Sequence, residues 1–259
     1  MIKYPHLAWS FVLGREENDP TLRLLWILPH DIRRNIIRTI FPKQYWKLLS
    51  FRQGSYRPYR YDSFEKLRTI YVHIPKAAGT FINGHIINSH TGHFTISDYQ
   101  IMYGNNFFKS AFKFTFVRNP WDRLVSAFFY LTGDNCSAED KKWANQYLST
   151  YKCFEEFVLD LPKSKLFESW IHFIPQYRFI CDPFGFIPLD FIGKLENIQR
   201  DIGIVCKNLN IDGVATLKKK NQSNHMHYAN YYSEETANIV CNIYKRDIDL
   251  FSYSFSKTN

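Results

Sequence analysis

The stretch Thr69–Thr80 reads TIYVHIPKAAGT, and it decides the fold that this sequence predicts. Ile70–Ile74 is a short apolar run of residues that favour β-strands, and Pro75 interrupts it. Lys76–Thr80 then leads into a segment whose apolar residues recur every four positions, as on one face of a helix. A turn between a strand and a helix presents backbone N–H groups at the positive end of the helix dipole, and these bind phosphate-like anions. We therefore predict an anion site here, to which Lys76 adds a cation.

A second strand-to-helix junction follows further along the chain. Ala111–Val117, AFKFTFV, alternates and is rich in aromatic residues, which predicts another buried strand. Arg118 comes directly after it. Asn119 is a favourable N-cap and Pro120 suits the first helical position, so we expect a helix to begin there.

The helix after Pro120 is predicted to have an apolar arc and a polar arc. The 3.6-residue period places four apolar residues on one side: Trp121, Leu124, Val125 and Phe128. Asp122, Arg123 and Ser126 lie on the other side, which we expect to be available to a ligand. Asp122 and Arg123 are expected to pair with neighbouring residues and not with a ligand.

The order strand, helix, strand, helix predicts an α/β layer with a parallel sheet, whose ligands lie beyond the carboxyl ends of the strands. A third strand is predicted over Phe186–Ile192, followed by a helix that ends near Asn208. Asn135–Phe173 has a helical pattern, and Ser89–Asn106 is predicted to be mainly loop. Ser233 is expected to cap a final amphipathic helix.

The first 62 residues are predicted to form a helical N-terminal extension, and residues 63–259 the α/β domain. Ile32–Ile40 has its isoleucines at helical spacing, with arginines that we expect to face solvent. A second short helix is predicted around Tyr45–Leu49, and Gly54–Arg60 is interpreted as a linker.

The composition indicates a globular protein with an acidic partner, but it does not identify that partner. Of 259 residues, 45% are hydrophobic and 18% aromatic, which favours a packed globular chain. The 33 basic and 24 acidic residues give a net charge of +9, which favours an acidic partner such as nucleic acid, an anionic glycan, a membrane surface or a phosphorylated cofactor.

The cysteines and the start of the chain indicate in which cellular compartment the protein is expected. Five widely spaced cysteines without a CxxC pair predict reduced, mostly buried thiols and no zinc site. The start of the chain lacks a signal-peptide pattern, and its longest early apolar run, Leu24–Leu28, is far shorter than the roughly 20 residues of a membrane helix. We therefore expect a soluble cytoplasmic protein.

Two motifs of this sequence resemble motifs of the sulfotransferases, and they occur in the same order along the chain. HIPKAAGT, His73–Thr80, is similar to their phosphosulfate-binding loop, and FVRNPWDRLVSAF, Phe116–Phe128, is similar to their 3′-phosphate-binding segment. The resemblance is closest to the carbohydrate and heparan/chondroitin sulfotransferases, continues more weakly through Phe191–Gly203 and the C-terminal segment, and spans roughly residues 68–255. It implies a P-loop-like three-layer fold with a central parallel sheet flanked by helices.

The resemblance also implies a donor, 3′-phosphoadenylyl sulfate (PAPS), with 3′-phosphoadenosine 5′-phosphate (PAP) as the product. Backbone N–H groups of Ala77, Ala78, Gly79 and Thr80 would bind the phosphosulfate, with Lys76 near the oxygen on which negative charge develops. Arg118 and the Ser126 hydroxyl would bind the 3′-phosphate. The sequence has no GxxxxGK[ST] motif, which argues against a metal-dependent kinase, so no metal is expected.

An acceptor hydroxyl needs a general base, and the corresponding position in glycan uronyl sulfotransferases is a histidine after the first helix. His93 is therefore the candidate base, with His90 in reserve and Glu196 as a weaker alternative. The basic run Lys218–Lys220 is an ordinary solvated loop or a further contact to the 3′-phosphate. His73 is expected to be a core residue.

The predicted function is sulfuryl transfer from PAPS to a hydroxyl-bearing acceptor, in particular a carbohydrate, with no nucleic acid partner. Two alternatives stay open. One is a nucleotide-binding phosphotransferase of related fold, and the other is a non-catalytic polyanion-binding protein, which the charge alone suggests.

Overall fold

A computed structural model describes residues 20–53, 61–211 and 226–256. The chain forms two compact units. Among the described residues, the first unit contains 20–53, 61–117 and 178–211, and the second contains 118–177 and 226–256. The predicted linker Gly54–Arg60 and the basic run Lys218–Lys220 lie outside the described residues, and the predicted boundary at residue 62 stays a prediction.

The first unit is built on a three-stranded parallel sheet in the order β1-β2-β3. The strands are β1 (Thr69–Val72), β2 (Phe112–Val117) and β3 (Phe191–Lys194). Val72 is in register with Thr115, and Val117 with Lys194. The prediction of a mixed α/β chain with a central parallel sheet flanked by helices is confirmed. Because the strands are parallel, the residues that follow β1 and β3 leave the sheet at its carboxyl edge, where β2 also ends.

Helices surround this sheet within the first unit. They are α1 (Pro20–Ile27), α2 (His30–Ile40), α3 (Pro42–Arg52), α4 (Asp62–Leu67), α5 (Gly79–Ile82), which continues as a π-helical turn (Asn83–Ile87), α6 (Ile96–Met102), α7 (Asn105–Ser110) and α13 (Ile198–Leu209), which follows a 3₁₀ turn (Leu195–Asn197). A short helix, α12 (Tyr177–Ile180), lies where the chain passes from the second unit back to the first.

The prediction that Ser89–Asn106 is mainly loop agrees with residues 89–95, but it is wrong from Ile96 on, because α6 and the start of α7 lie there. A capping box begins α6. Thr95 Oγ1 accepts from the Asp98 N–H at 3.2 Å, and Asp98 Oδ2 accepts from the Thr95 N–H at 2.7 Å. This reciprocal pair satisfies backbone donors that a helix start leaves without a partner.

The third strand begins later than predicted, at Phe191 instead of Phe186. Phe186 belongs to a turn that Asp182 closes, since its N–H donates to Asp182 Oδ1 at 2.9 Å and its carbonyl accepts from the Asp182 N–H at 2.9 Å. Asp190 then joins β2 through its side chain, because Asp190 Oδ2 accepts from the Lys113 N–H at 2.7 Å.

The helix α2 is present as predicted, but its solvated face is not the predicted one. Ile32 and Ile40 are 51% and 61% exposed, whereas Arg33 is buried. The Arg33 guanidinium lies 4.3 Å from the centre of the Trp26 ring, and its Nη2 donates to Gln100 Oε1 at 3.2 Å. Burial lowers the pKa of Arg33 to about 10, against the opposing charge of Asp182. A cation–π contact and a hydrogen bond thus replace solvent for this arginine.

The second unit is helical. Its helices are α8 (Pro120–Thr132), α9 (Ala138–Tyr147), α10 (Phe154–Ser164), α11 (Leu166–Ser169), α14 (Glu234–Ile243) and α15 (Lys245–Phe251), with a 3₁₀ turn (Tyr228–Tyr231) before α14. The helical prediction for Asn135–Phe173 is confirmed. Both predicted caps are present, because Asn119 Oδ1 accepts from the Trp121 N–H and Ser233 Oγ accepts from the Thr236 N–H.

Asp140 is the polar centre of this second unit. It accepts from Ser137 Oγ at 2.8 Å, Tyr130 OH at 3.0 Å and Trp170 Nε1 at 3.1 Å, and it pairs with His172 Nε2 at 3.1 Å. Burial raises the pKa of Asp140, but these hydrogen bonds and the charge of His172 outweigh it, so the pKa falls to about 2. The carboxylate is therefore stabilised in its charged form.

Two other expectations can be compared with the described residues. All five cysteines carry free thiols, but only Cys206 is buried and Cys153 is exposed, so the prediction of mostly buried thiols is wrong. Within the described part of the chain, no helix has both the length and the apolar character needed to cross a membrane.

Candidate functional site

The loop between β1 and α5 has an unusual backbone. Lys76 and Ala78 adopt positive φ angles of 66° and 68°, in the left-handed region that residues with a Cβ atom rarely occupy. Each such residue costs on the order of 1–3 kcal/mol and persists only where its surroundings enforce it. Alternation of left-handed and ordinary residues turns successive N–H groups toward one side, which forms an anion-binding concavity.

The backbone donors of this loop differ in their surroundings. The Ala77 N–H points toward the Ile74 carbonyl at 3.4 Å, which closes the turn, and the Ala77 side chain is buried. Ala78 is the N-cap of α5, and the N–H groups of Gly79 and Thr80 belong to its first turn. Donors in the first turn have no acceptor within their own helix. The N–H groups of Gly79 and Thr80 are thus the donors best placed to bind an anion. Lys76, which precedes them in the same loop, is half-buried.

Gly79 is required for space, not for its conformation. Unlike Lys76 and Ala78, it does not have a positive φ angle. A Cβ atom at this position would lie 1.7 Å from His73 Nε2 and 2.2 Å from His73 Cδ2. The ring of His73 therefore packs directly against the backbone of the loop.

His93 is oriented by the strand that leads into the loop. Its Nδ1 lies 3.0 Å from the His73 carbonyl oxygen, and the two imidazole rings are 4.1 Å apart between centres. Because a carbonyl only accepts, Nδ1 must carry the proton, which places the basic lone pair of neutral His93 on Nε2. A fixed tautomer of this kind suits a general base.

The two alternative bases, His90 and Glu196, also belong to the first unit. His90 is exposed in the segment before Thr91. Glu196 is exposed in the 3₁₀ turn that follows β3. His93 contacts His73, which leads into the loop, through a hydrogen bond and a ring contact.

Arg118 follows β2 directly, and the second unit holds its backbone on both sides. Its N–H donates to Gln176 Oε1 at 2.9 Å, and its carbonyl accepts from Gln176 Nε2 at 2.8 Å. Its guanidinium Nε donates to Asp122 Oδ2 at 2.8 Å, and the two side chains are 11% and 23% exposed. The backbone of Arg118 and the direction of its side chain are thus both set by neighbouring residues.

Gln176 is held in turn by Asp247, a carboxylate that is completely buried. Asp247 Oδ2 accepts from the Gln176 N–H at 2.7 Å, and Oδ1 accepts from the Tyr177 N–H at 2.8 Å. Burial raises the pKa of Asp247 to about 6, although the two backbone N–H groups and the charge of Arg123 act in the opposite direction. This chain of hydrogen bonds leads from α15 to the first residue after β2.

The predicted polar arc of α8 is correct only in part. Arg123 is buried, because its Nη1 donates to the Ile174 carbonyl at 2.9 Å, so it is not available to a ligand. The expectation that Asp122 and Arg123 pair with neighbours is confirmed. Ser126 is also largely buried, and its hydroxyl has no hydrogen-bond partner among the described residues.

Sequence reasoning did not find Gln176, Asp247 or the structural part played by His73. Gln176 lies 58 residues from Arg118, and Asp247 lies 71 residues from Gln176. No local pattern connects positions so far apart. His73 stands six residues before Gly79, but no sequence pattern predicts that its ring packs against that glycine.

The fold and the loop together define an α/β protein with an anion-binding turn after its first strand. Comparison with protein families then identifies it: the model of the sulfotransferase family matches residues 59–254, and the chain belongs to that family. Family membership supports sulfuryl transfer as its general activity, and sulfotransferases generally take the sulfuryl group from PAPS. A search of curated proteins and a search of solved structures each found no match.

Proposed function

We propose that this chain is a PAPS-dependent sulfotransferase that transfers a sulfuryl group to a hydroxyl of a carbohydrate. The observation that carries the proposal is the backbone of the loop, where positive φ angles at Lys76 and Ala78 surround donors that suit a phosphosulfate. Family membership supports the same chemistry. The proposal includes a P-loop-like three-layer fold for residues 63–259 and a helical extension over residues 1–62.

In the proposed reaction, the N–H groups of Ala77–Thr80 bind the phosphosulfate and Arg118 with Ser126 binds the 3′-phosphate. His93 Nε2 takes the proton of the acceptor hydroxyl while the acceptor oxygen forms a bond to sulfur. The bond from sulfur to the bridging oxygen breaks, and its electron pair stays on the phosphate of PAP. Lys76 stabilises the charge that develops on that oxygen. The reaction as written needs no metal ion.

The decisive experiment is transfer of radiolabelled sulfate from PAPS to a panel of glycans, lipids and small alcohols. We expect a glycan to be labelled by the wild-type chain. Lys76→Ala should then lower turnover by about 100-fold or more, because a preorganised cation at the leaving oxygen is lost. Lys109→Ala is the matched control, since Lys109 is an exposed lysine on α7 and should leave turnover unchanged. Unchanged turnover by the Lys76 variant would exclude its proposed part.

Calorimetry separates this proposal from the two alternatives. A sulfotransferase should bind PAP more tightly than ATP with magnesium, because Arg118 and Ser126 are assigned to a 3′-phosphate that ATP lacks. Tighter binding of ATP would favour a phosphotransferase. Strongly salt-dependent binding of any polyanion, without affinity for PAP, would favour a non-catalytic binder.

A further inference from the structure

We propose that His73 is a positioning residue that couples the donor-binding loop to the base. Its ring would set the position of the loop at Gly79, and its packing would hold His93 in the orientation that exposes a basic Nε2 to the reaction. This inference rests on the proposed function, since it assigns His73 a part in the same site. All the contacts that carry it lie within the first unit.

The contact with the loop is the closest of these. The Gly79 backbone leaves no room for a Cβ atom, whose nearest neighbours would be three atoms of the His73 ring at 1.7–2.7 Å. The ring is half-buried at the end of β1 and cannot move away without cost, because it stacks on Tyr71 with centres 5.7 Å apart. Gly79 therefore rests on the ring, and a displacement of His73 would displace the first turn of α5.

Polar contacts hold the ring from the other side. His73 Nδ1 lies 3.2 Å from the Thr91 carbonyl oxygen, which can only accept, so the Nδ1–H donates to it. Asn83 Nδ2 is a close neighbour of the same nitrogen, at 3.4 Å. The Thr91 hydroxyl donates to Asn83 Oδ1 at 2.9 Å. Asn83 begins the π-helical turn after α5, so the same small network joins the strand, the helix after the loop and the segment that carries His93.

The contact with the base has two parts. His93 Nδ1–H donates to the His73 carbonyl at 3.0 Å, and the rings pack at 4.1 Å between centres. The hydrogen bond selects the tautomer, and the ring contact limits rotation of the His93 side chain. A single residue thus contacts both the donor loop and the base.

A double-mutant cycle between His73 and Gly79 tests the coupling. Gly79→Ala alone should weaken PAP binding by about tenfold or more, because the new methyl group overlaps the ring. His73→Ala alone should also weaken binding, because the loop loses its support. In the double variant the methyl group occupies part of the vacated space, so the two effects should not add. Additive effects would overturn the proposal.

Gly84→Ala is the matched control for this cycle. A Cβ atom there meets nothing within 4 Å, so the change alters helix composition without touching His73. It should leave PAP affinity unchanged and show no coupling with His73→Ala. If His73→Ala does not fold, His73→Asn replaces it, since its amide keeps a donor near the Thr91 carbonyl while the ring is removed.

Two measurements need no nucleotide and keep this inference separate from the proposed function. The ¹⁵N chemical shifts of His93 should report the Nδ1–H tautomer in the wild-type chain. The His73 variant keeps the backbone carbonyl but loses the ring contact, so the His93 side chain should rotate away from that carbonyl and populate both tautomers. A cycle of unfolding free energies should show the same coupling between His73 and Gly79. Absence of both effects would refute the coupling, whereas a wild-type chain that shows both but does not bind PAP would refute the proposed function alone.

Discussion

Asp247→Asn should change how the stability of the second unit depends on pH. The pKa of Asp247 is about 6 in the folded chain, against 3.8 for an ordinary aspartate. Between these values the folded chain keeps a proton that the unfolded chain has lost, so the free energy of unfolding falls as pH rises. A difference of roughly 2 pKa units corresponds to about 3 kcal/mol, because each unit is worth 1.36 kcal/mol. Full burial of Asp247 means that solvent does not screen this effect.

The assay is urea unfolding at intervals between pH 3.5 and 7, followed by tryptophan fluorescence. Trp121, Trp143 and Trp170 are buried in the second unit and report its unfolding. The advantage of the wild-type chain over the variant should shrink by about 3 kcal/mol as pH rises through 4 to 6 and then stay constant. Asp249→Asn is the control, because this aspartate is exposed on the same helix and should follow the wild-type curve. Parallel curves for wild type and Asp247→Asn would refute the reasoning.

Three further changes have clear expected outcomes. The carboxylate of Asp140 has a pKa of 3.8 in the unfolded chain and about 2 in the folded chain, so it stabilises the folded chain above pH 3.8 and this contribution is lost as the pH falls toward about 2. Asp140→Asn should therefore lower the free energy of unfolding at pH 7 by roughly 2 kcal/mol, measured by urea unfolding. Gln176→Leu removes both hydrogen bonds to the Arg118 backbone, so PAP affinity measured by calorimetry should fall by about tenfold or more while the Lys76 loop is unaltered. Ala78→Gly should cost no stability, because glycine accepts its positive φ angle, whereas Ala127→Gly inside α8 should cost about 1 kcal/mol or more by thermal unfolding.

The parts of the fold that the sequence predicts correctly depend on short-range patterns. β1 and β2 follow from runs of strand-forming residues, and the helix starts at Asn119 and Ser233 follow from capping side chains within three positions. The same kind of signal is present at Thr95, where a threonine and an aspartate three positions later begin α6. The polar, histidine-rich composition around Thr95 favours a loop, so a loop is predicted where the capping box begins a helix.

Long-range contacts explain the errors that no local pattern could have prevented. Arg33 belongs to a helix whose period predicts a solvated arginine, yet Trp26 and Gln100 bury it. Arg123 is drawn inward by the Ile174 carbonyl in the same way. In each case the arginine donates to an acceptor far away in the sequence. The sequence of its own helix therefore cannot predict that the arginine is buried.

The sequence locates the motif of the loop, but it does not show why the motif contains a glycine. A glycine in a phosphate-binding turn is ordinarily explained by a positive φ angle, yet here Lys76 and Ala78 have the positive angles and Gly79 does not. Gly79 is needed because the His73 ring occupies the place of its side chain. The backbone strain at Lys76 and Ala78 is on the order of 1–3 kcal/mol for each residue, and packing around the loop must supply it. His73 provides a rigid surface for that packing, so the histidine and the glycine of this motif form one structural unit, and neither can be explained without the other.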